Sequence, residues 1–214
     1  MKILLTGFEP FGGEAINPSW EAVKTLHGYR DAVETLELPC VFDLCLEQLG
    51  HKVRALAPDV ILAIGQAGGR SAISLEKVAI NLNEARIPDN ADRQPIDTPV
   101  VPGGPAAYFS RLPLKRLAAG LRDRGIPAEL SYTAGTFVCN HLFYGASHLA
   151  EALPQRPRVG FVHIPYLPEQ AARHPGSPSM SLASLTAGLA GICDELLAAG
   201  RDMREIEAVA GTTH

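Results

Sequence analysis

Residues 128–164 read AELSYTAGTFVCNHLFYGASHLAEALPQRPRVGFVHI, and three parts of this stretch decide the fold. Ala128–Tyr132 is a short apolar run of β type. Within Asn140–Leu153, the residues Leu142, Ala146, Leu149, Ala150 and Leu153 recur at the 3.6-residue period of a helix with one core-facing stripe. Val159–Ile164 is again apolar and β-rich, and Pro165 ends it. Outward from this stretch, strands are expected at Lys2–Thr6, Val33–Leu38, Val60–Ile64 and Val78–Leu82. Helices are expected at Pro18–Leu26, Asp43–Leu56, Leu112–Asp123 and Ser181–Ala199. Strands alternating with helices of this length predict an α/β fold with a mostly parallel twisted sheet and helices on both faces. Ligands of such folds bind beyond the carboxyl ends of the strands.

The 214 residues include 19 Lys+Arg against 23 Asp+Glu, a formal net charge of −4. No global basic field is present to attract nucleic acid or anionic membrane, so neither is an expected partner. Arg116, Arg122 and Arg124 read as the solvated face of one helix. No run long enough to cross a bilayer is free of charged or strongly polar side chains, so no membrane span is expected. The opening run Met1–Gly7 is too short for a signal peptide and lacks a small-residue cleavage site; it reads as a first buried strand. Without repeats, low-complexity blocks or linker-like shifts, one domain over residues 1–214 is expected. The four cysteines, at 40, 45, 139 and 193, form no CxxC pair. They suit a cytoplasmic chain with reduced thiols, most of them small buried hydrophobes.

Three Gly- or Pro-rich loops follow strands: Gly7–Gly13, Gly65–Arg70 and Ala134–Cys139. A fourth segment, Arg86–Pro105, is long and carries five prolines. Long loops without regular structure are usually functional or mobile. Cys139 falls at the first residues of a helix. The partial positive charge there favours a thiolate, and free backbone N–H groups can hold an oxyanion. The plain alternative is a buried packing cysteine. His163 closes an apolar strand, where it is either a core histidine or an imidazole that meets Cys139 at the sheet edge. Glu76, between a glycine-rich loop and an apolar run, either orients that imidazole or is a solvated surface glutamate; sequence alone favours the latter.

Other chemistries have weaker signals. His141 and His148 are seven apart, His51 and His174 are isolated, and there is no HExxH, so no metal and no organic cofactor are expected. GQAGGR lacks the GxGxxG spacing and no P-loop occurs, which weakens a nucleotide-binding reading. A catalytically silent module for capped peptide N-termini is the third alternative.

The segments GFEPFGG, Asn17-Pro18-Ser19-Trp20, GQAGGR, EKVAIN, ARIPDN, AGTFVCNHLFY and GFVHIPYLPEQ follow one another from residue 7 to about residue 170. Together they resemble the pyrrolidone carboxyl peptidase (pyroglutamyl peptidase I) family, cysteine peptidases that remove N-terminal pyroglutamate. The resemblance implies a three-layer α/β/α globule of the phosphorylase/hydrolase-like kind and, commonly, a homotetramer. By position, Cys139 resembles the nucleophile, His163 the general base and acid, and Glu76 the residue that orients the histidine. Arg86 resembles an arginine near the active site that would support the oxyanion.

Pyroglutamate is a neutral lactam, so its site needs apolar walls and a few amide-matching groups. The resemblance implies that Phe8 and Phe11 clamp the ring and that Ile87, Phe137 and Val138 add to the walls; without it, Phe8 and Phe11 read as a hydrophobic plug. It likewise brings Asn17 and Gln66 to the pocket, with side-chain amides able to match the lactam N–H and C=O. Asn17 also reads as a helix N-cap before Pro18. A prolyl ring would fill the same space but leave those groups unpaired, a defect that can cost about 10⁴-fold or more.

Overall fold

The computed structural model describes residues 1–211. Its strands are β1 (Ile3–Phe8), β2 (Val33–Leu38), β3 (Val60–Gln66), β4 (Ile73–Glu76), β5 (Val78–Ile80), β6 (Ala107–Phe109), β7 (Ala128–Ser131) and β8 (Arg158–Ile164). Six of them form one sheet in the order β2-β1-β3-β8-β4-β7, and β5 and β6 form a small antiparallel pair beside it. β2, β1, β3 and β8 are mutually parallel. β4 is antiparallel to β8 and parallel to β7, so the single reversal lies between β8 and β4.

The helices are α1 (Pro18–Lys24), α2 (Leu44–Leu56), α3 (Leu114–Asp123), α4 (Val138–Ala152), α5 (Pro168–Ala171) and α6 (Leu182–Ala199). Strand alternation divides the core. Ile3, Leu5, Leu62, Ile64 and Val162 face one way, with Leu117, Leu189 and Ile192 of α3 and α6. Leu4, Ile61, Ala63 and Phe161 face the other way, with Leu49, Leu142 and Phe143 of α2 and α4. This is the three-layer α/β/α arrangement. β1 and β3 are buried along their whole length because helices cover both faces, which is why they read as unbroken apolar runs. By length and hydropathy α6 resembles a membrane span. Here its stripe of Leu185, Leu189, Ile192 and Leu196 is buried in the core, while Asp194 and Glu195 pair with Arg30, Arg116 and Arg124.

Several elements differ from expectation. The run expected over Val78–Leu82 is shorter and belongs to the small sheet. β4 follows the glycine-rich loop as four residues too few to show a period, and β6 has three. α4 begins at Val138, so Cys139 lies inside its first turn.

Candidate active site

The reversal at β4 sets the first pair of groups. His163 lies opposite Ser74 in the β4–β8 ladder, and Glu76 lies opposite Phe161. His163 and Glu76 are therefore diagonal neighbours on one face, within reach of long side chains. Glu76 is fully buried, not solvated, and its Oε1 accepts a hydrogen bond from His163 Nδ1 at 2.7 Å. A carboxylate only accepts, so the proton sits on Nδ1 and the lone pair on Nε2 is free for a substrate or thiol proton. The Phe161 ring, centred 4.9 Å from that of His163, supports the imidazole.

Cys139 joins the pair through β3. Gly65 is the register partner of His163, and a Cβ added at Gly65 would lie 2.8 Å from Cys139 Sγ and 2.8 Å from the Phe161 ring. The sulfur thus sits over the strand beside His163, on the same face, with strands spaced about 4.8 Å apart. Only a residue without a side chain leaves it room. Asn140, the next residue of α4, anchors the helix start. Its Nδ2 donates to Ile80 O and Leu82 O, and its Oδ1 accepts from Ile80 N–H, each at 2.9 Å. The N–H groups of the first turn have no partner within the helix and are available to a negative oxygen.

Electrostatics separates the resting site from the expected thiolate. The Cys139 side chain keeps a partial opening to solvent, but protein crowds it closely. Burial pushes its thiol up to about 12; the Glu76 charge adds to the rise and Arg70 opposes it. Burial also holds His163 below the ordinary imidazole range, against the hydrogen bond it donates to Glu76. Both groups are neutral near pH 7.

The apolar residues sort by exposure. Phe8 and Val138 are buried in the cluster behind the site, whereas Phe11, Ile87 and Phe137 keep partly open surfaces. Phe137 lies 6.2 Å from Phe11 and meets Phe42 edge-on at 5.4 Å. Ile87 approaches the turn at Gly12. Asn17 caps α1: its Oδ1 accepts from Ser19 N–H at 3.0 Å and Ser19 Oγ at 2.8 Å, and its Nδ2 donates to Glu9 O at 2.9 Å. The side chain of Gln66 alternates to the face opposite Gly65, where its Oε1 accepts from Gln170 Nε2 at 3.0 Å. The acceptor atoms of both amides are already engaged. Asn17 Oδ1 has filled both its acceptor positions, whereas Gln66 Oε1 keeps one, and each amide nitrogen keeps an N–H without a partner among the described residues. Arg86 is exposed on its loop.

Three participants carried no clear signal. Arg70 Nη1 lies 2.9 Å from Glu76 Oε1, an ion pair made by the last residue of GQAGGR. Phe42 comes from a segment without a recognisable motif. His141 holds that segment in place: its Nδ1–H donates to Asn83 Oδ1 at 2.9 Å, and its Nε2 accepts from Asp43 N–H at 3.0 Å. Asp89 accepts from Phe42 N–H, Ala91 N–H and Arg93 N–H, which clamps the 86–105 segment to the same loop. Among the described residues no group of three or more His, Cys, Asp or Glu side chains could hold a metal ion.

Burial lowers His141 from 6.5 to about 4. The unfolded chain takes up this proton near pH 6.5 and the folded chain only near pH 4, so stability is present above that window and is lost as pH falls through it. The full loss from this residue is about 3 kcal/mol. Urea midpoints measured from pH 7 to pH 4 should therefore fall more steeply for the wild type than for His141→Gln. Equal slopes would assign the acid sensitivity elsewhere.

A family model described as pyroglutamyl peptidase matches residues 1–196. The chain is 54% identical over 217 residues to the pyrrolidone-carboxylate peptidase of Erwinia tasmaniensis, covering 100% of this chain and 99% of that one. Identity to the enzyme of the same name from Chromobacterium violaceum is 53% over 215 residues, 99% of each chain. The crystal structure of Bacillus amyloliquefaciens pyroglutamyl peptidase I is similar with a TM-score of 0.87 at 50% identity, over 89% of this chain and 94% of that one. The pyrrolidone carboxyl peptidase of the hyperthermophile Pyrococcus furiosus has a TM-score of 0.87 at 39% identity, over 92% and 99%.

Proposed function

The chain belongs to the pyroglutamyl peptidase family, and from that premise we propose that Cys139, His163 and Glu76 carry its reaction within a single catalytic domain. It is a cysteine-type exopeptidase that removes N-terminal pyroglutamyl residues. The observation that carries the assignment of roles is the buried 2.7 Å hydrogen bond from His163 to Glu76, beside a glycine that admits the Cys139 sulfur.

Because thiol and imidazole start neutral, proton transfer accompanies attack. His163 Nε2 takes the Cys139 proton as Sγ bonds to the carbonyl carbon that joins pyroglutamate to the next residue. The carbonyl electron pair moves to oxygen, where the free N–H groups of α4, with Arg86 in support, hold the charge. Glu76 stabilises the imidazolium. His163 returns the proton to the leaving nitrogen, the C–N bond breaks, and a thioester remains. Water deprotonated by His163 then attacks the thioester; free pyroglutamate leaves and the thiol is restored. No cofactor enters these steps.

The ring lies between the open surfaces of Phe11, Ile87 and Phe137, backed by Phe8 and Val138. Asn17 and Gln66 supply the polar edge as donors to the lactam carbonyl. The substrates are peptides and proteins with N-terminal pyroglutamate. Four free thiols suit a reducing cytoplasm, and a homotetramer is the assembly the resemblance implies. Nucleic acid and membrane are not partners in this reading.

The test uses freshly reduced protein and a chromogenic pyroglutamyl amide, with the prolyl amide as control. Pyroglutamyl release should exceed prolyl release by about 10⁴-fold, survive a chelator, and vanish once iodoacetamide has modified Cys139. Activity after complete modification would sink the cysteine mechanism. Inactivity of the fresh protein would favour a binding module.

A further inference from the structure

Glu76 uses one oxygen for two partners. Its Oε1 accepts from His163 Nδ1 at 2.7 Å and forms an ion pair with Arg70 Nη1 at 2.9 Å, whereas Oε2 is buried with no hydrogen-bond partner among the described residues. Arg70 Nη2 donates to Thr133 O at 3.2 Å, in the loop that leads to Cys139. The Arg70 side chain is 24% exposed and that of Glu76 0%, so the guanidinium sits between the carboxylate and solvent. We propose that Arg70 is a positioning residue that sets the basicity of His163, through the carboxylate oxygen that both of them share.

The argument rests on the catalytic roles proposed above for His163 and Glu76. A proton on His163 is favoured by the negative charge of Glu76. A guanidinium on the same oxygen offsets part of that attraction and so adds to the burial that keeps the imidazole unprotonated and able to take the thiol proton near neutral pH. The guanidinium also fixes the orientation of the carboxylate against the ring, because turning it away would break both contacts. The charge of Arg70 indeed acts to lower both His163 and Cys139. The groups around His163 can be named by element. Glu76 comes from β4, Arg70 from the β3–β4 loop and Cys139 from α4. Ser74, opposite His163, donates to Glu129 Oε1 at 2.8 Å, and uncharged Phe161 packs on the ring.

The experiment is the pH profile of kcat/KM on a pyroglutamyl amide for wild type, Arg70→Met, Arg70→Gln and Arg70→Lys. In Arg70→Met the acid limb should move up by about one pH unit, within the range expected for loss of one adjacent charge. At a pH on that limb kcat/KM should fall about tenfold, against less than about threefold on the plateau. Arg70→Lys, which keeps the cation, should return the limb toward its wild-type position. Should Arg70→Met fail to fold, Arg70→Gln keeps a donor for Thr133 and carries the same expectation. An unmoved acid limb with a uniform loss at every pH would overturn the proposal and leave Arg70 structural. His163→Ala separates the two failures: if turnover survives it, the catalytic reading fails; if turnover is abolished and the limb is unmoved, only the role of Arg70 fails.

Discussion

Cys139→Ala is expected to lower turnover of a pyroglutamyl amide by at least about 10⁴-fold, the scale on which loss of a covalent nucleophile is felt. No neighbour can replace the sulfur. Cys40 and Cys45 lie in the same half of the core, but both are buried and burial drives their thiols far above the ordinary range. The fold should tolerate the change. Cys139 is only partly buried, and alanine keeps its Cβ while removing a single heavy atom, so urea stability should stay within about 1 kcal/mol of wild type. Single-turnover assays with enzyme in excess should detect no acyl-enzyme. Residual activity above about one per cent would remove Cys139 from the nucleophile position.

Glu76→Gln should lower kcat by about 10³- to 10⁴-fold with a much smaller change in KM. The amide keeps the volume of the carboxylate, so the sheet should form. Two catalytic functions disappear together. The imidazolium created when Cys139 attacks loses its counter-charge in a buried site, where charges are screened weakly. An amide N–H turned toward Nδ1 would also place the ring proton on Nε2, the atom that must accept from the thiol. Because the substrate does not touch Glu76 in this mechanism, ground-state binding should survive. A loss smaller than about tenfold in kcat would mean that His163 is oriented by its packing on Phe161 instead.

All the helices but the four-residue α5, and most of the main sheet, were legible in the sequence, because β1, β3 and β8 are apolar runs bounded by turn residues and the α4 stripe keeps a clear period. β4 was not. Ile73–Glu76 is too short to show alternation, and nothing local announces that it runs against β8. The burial of Glu76 depends on that direction, which is why a surface reading of the residue was the natural one. Arg70 escaped for the same reason: its partner is six residues away, and only the sheet brings them together. Phe42 belongs to a loop held by His141 and Asp89 from distant parts of the chain, contacts that no local pattern records.

Cys139 shows a different limit. Its place at a helix start was readable, and so was the expected pull toward a thiolate. The helix terminus offers about 0.3–1 kcal/mol in ordinary settings, whereas full burial can shift a titrating group by several pH units. Crowding wins, and crowding is a tertiary quantity.

β8, residues 158–164, is the last strand among the described residues, yet it sits between β3 and β4 in the sheet order. Synthesis from the amino end delivers the strands of β2-β1-β3 and of β4-β7 before β8, so pairing among them alone leaves hydrogen-bonding edges open at β3 and β4. Those edges cannot be bridged until residue 164 has left the ribosome, and open edges invite pairing with other chains. The strand that closes them is the one that carries His163. The nascent chain is thus open to edge pairing until His163 arrives, and one seven-residue insertion both closes the sheet and completes the proposed site.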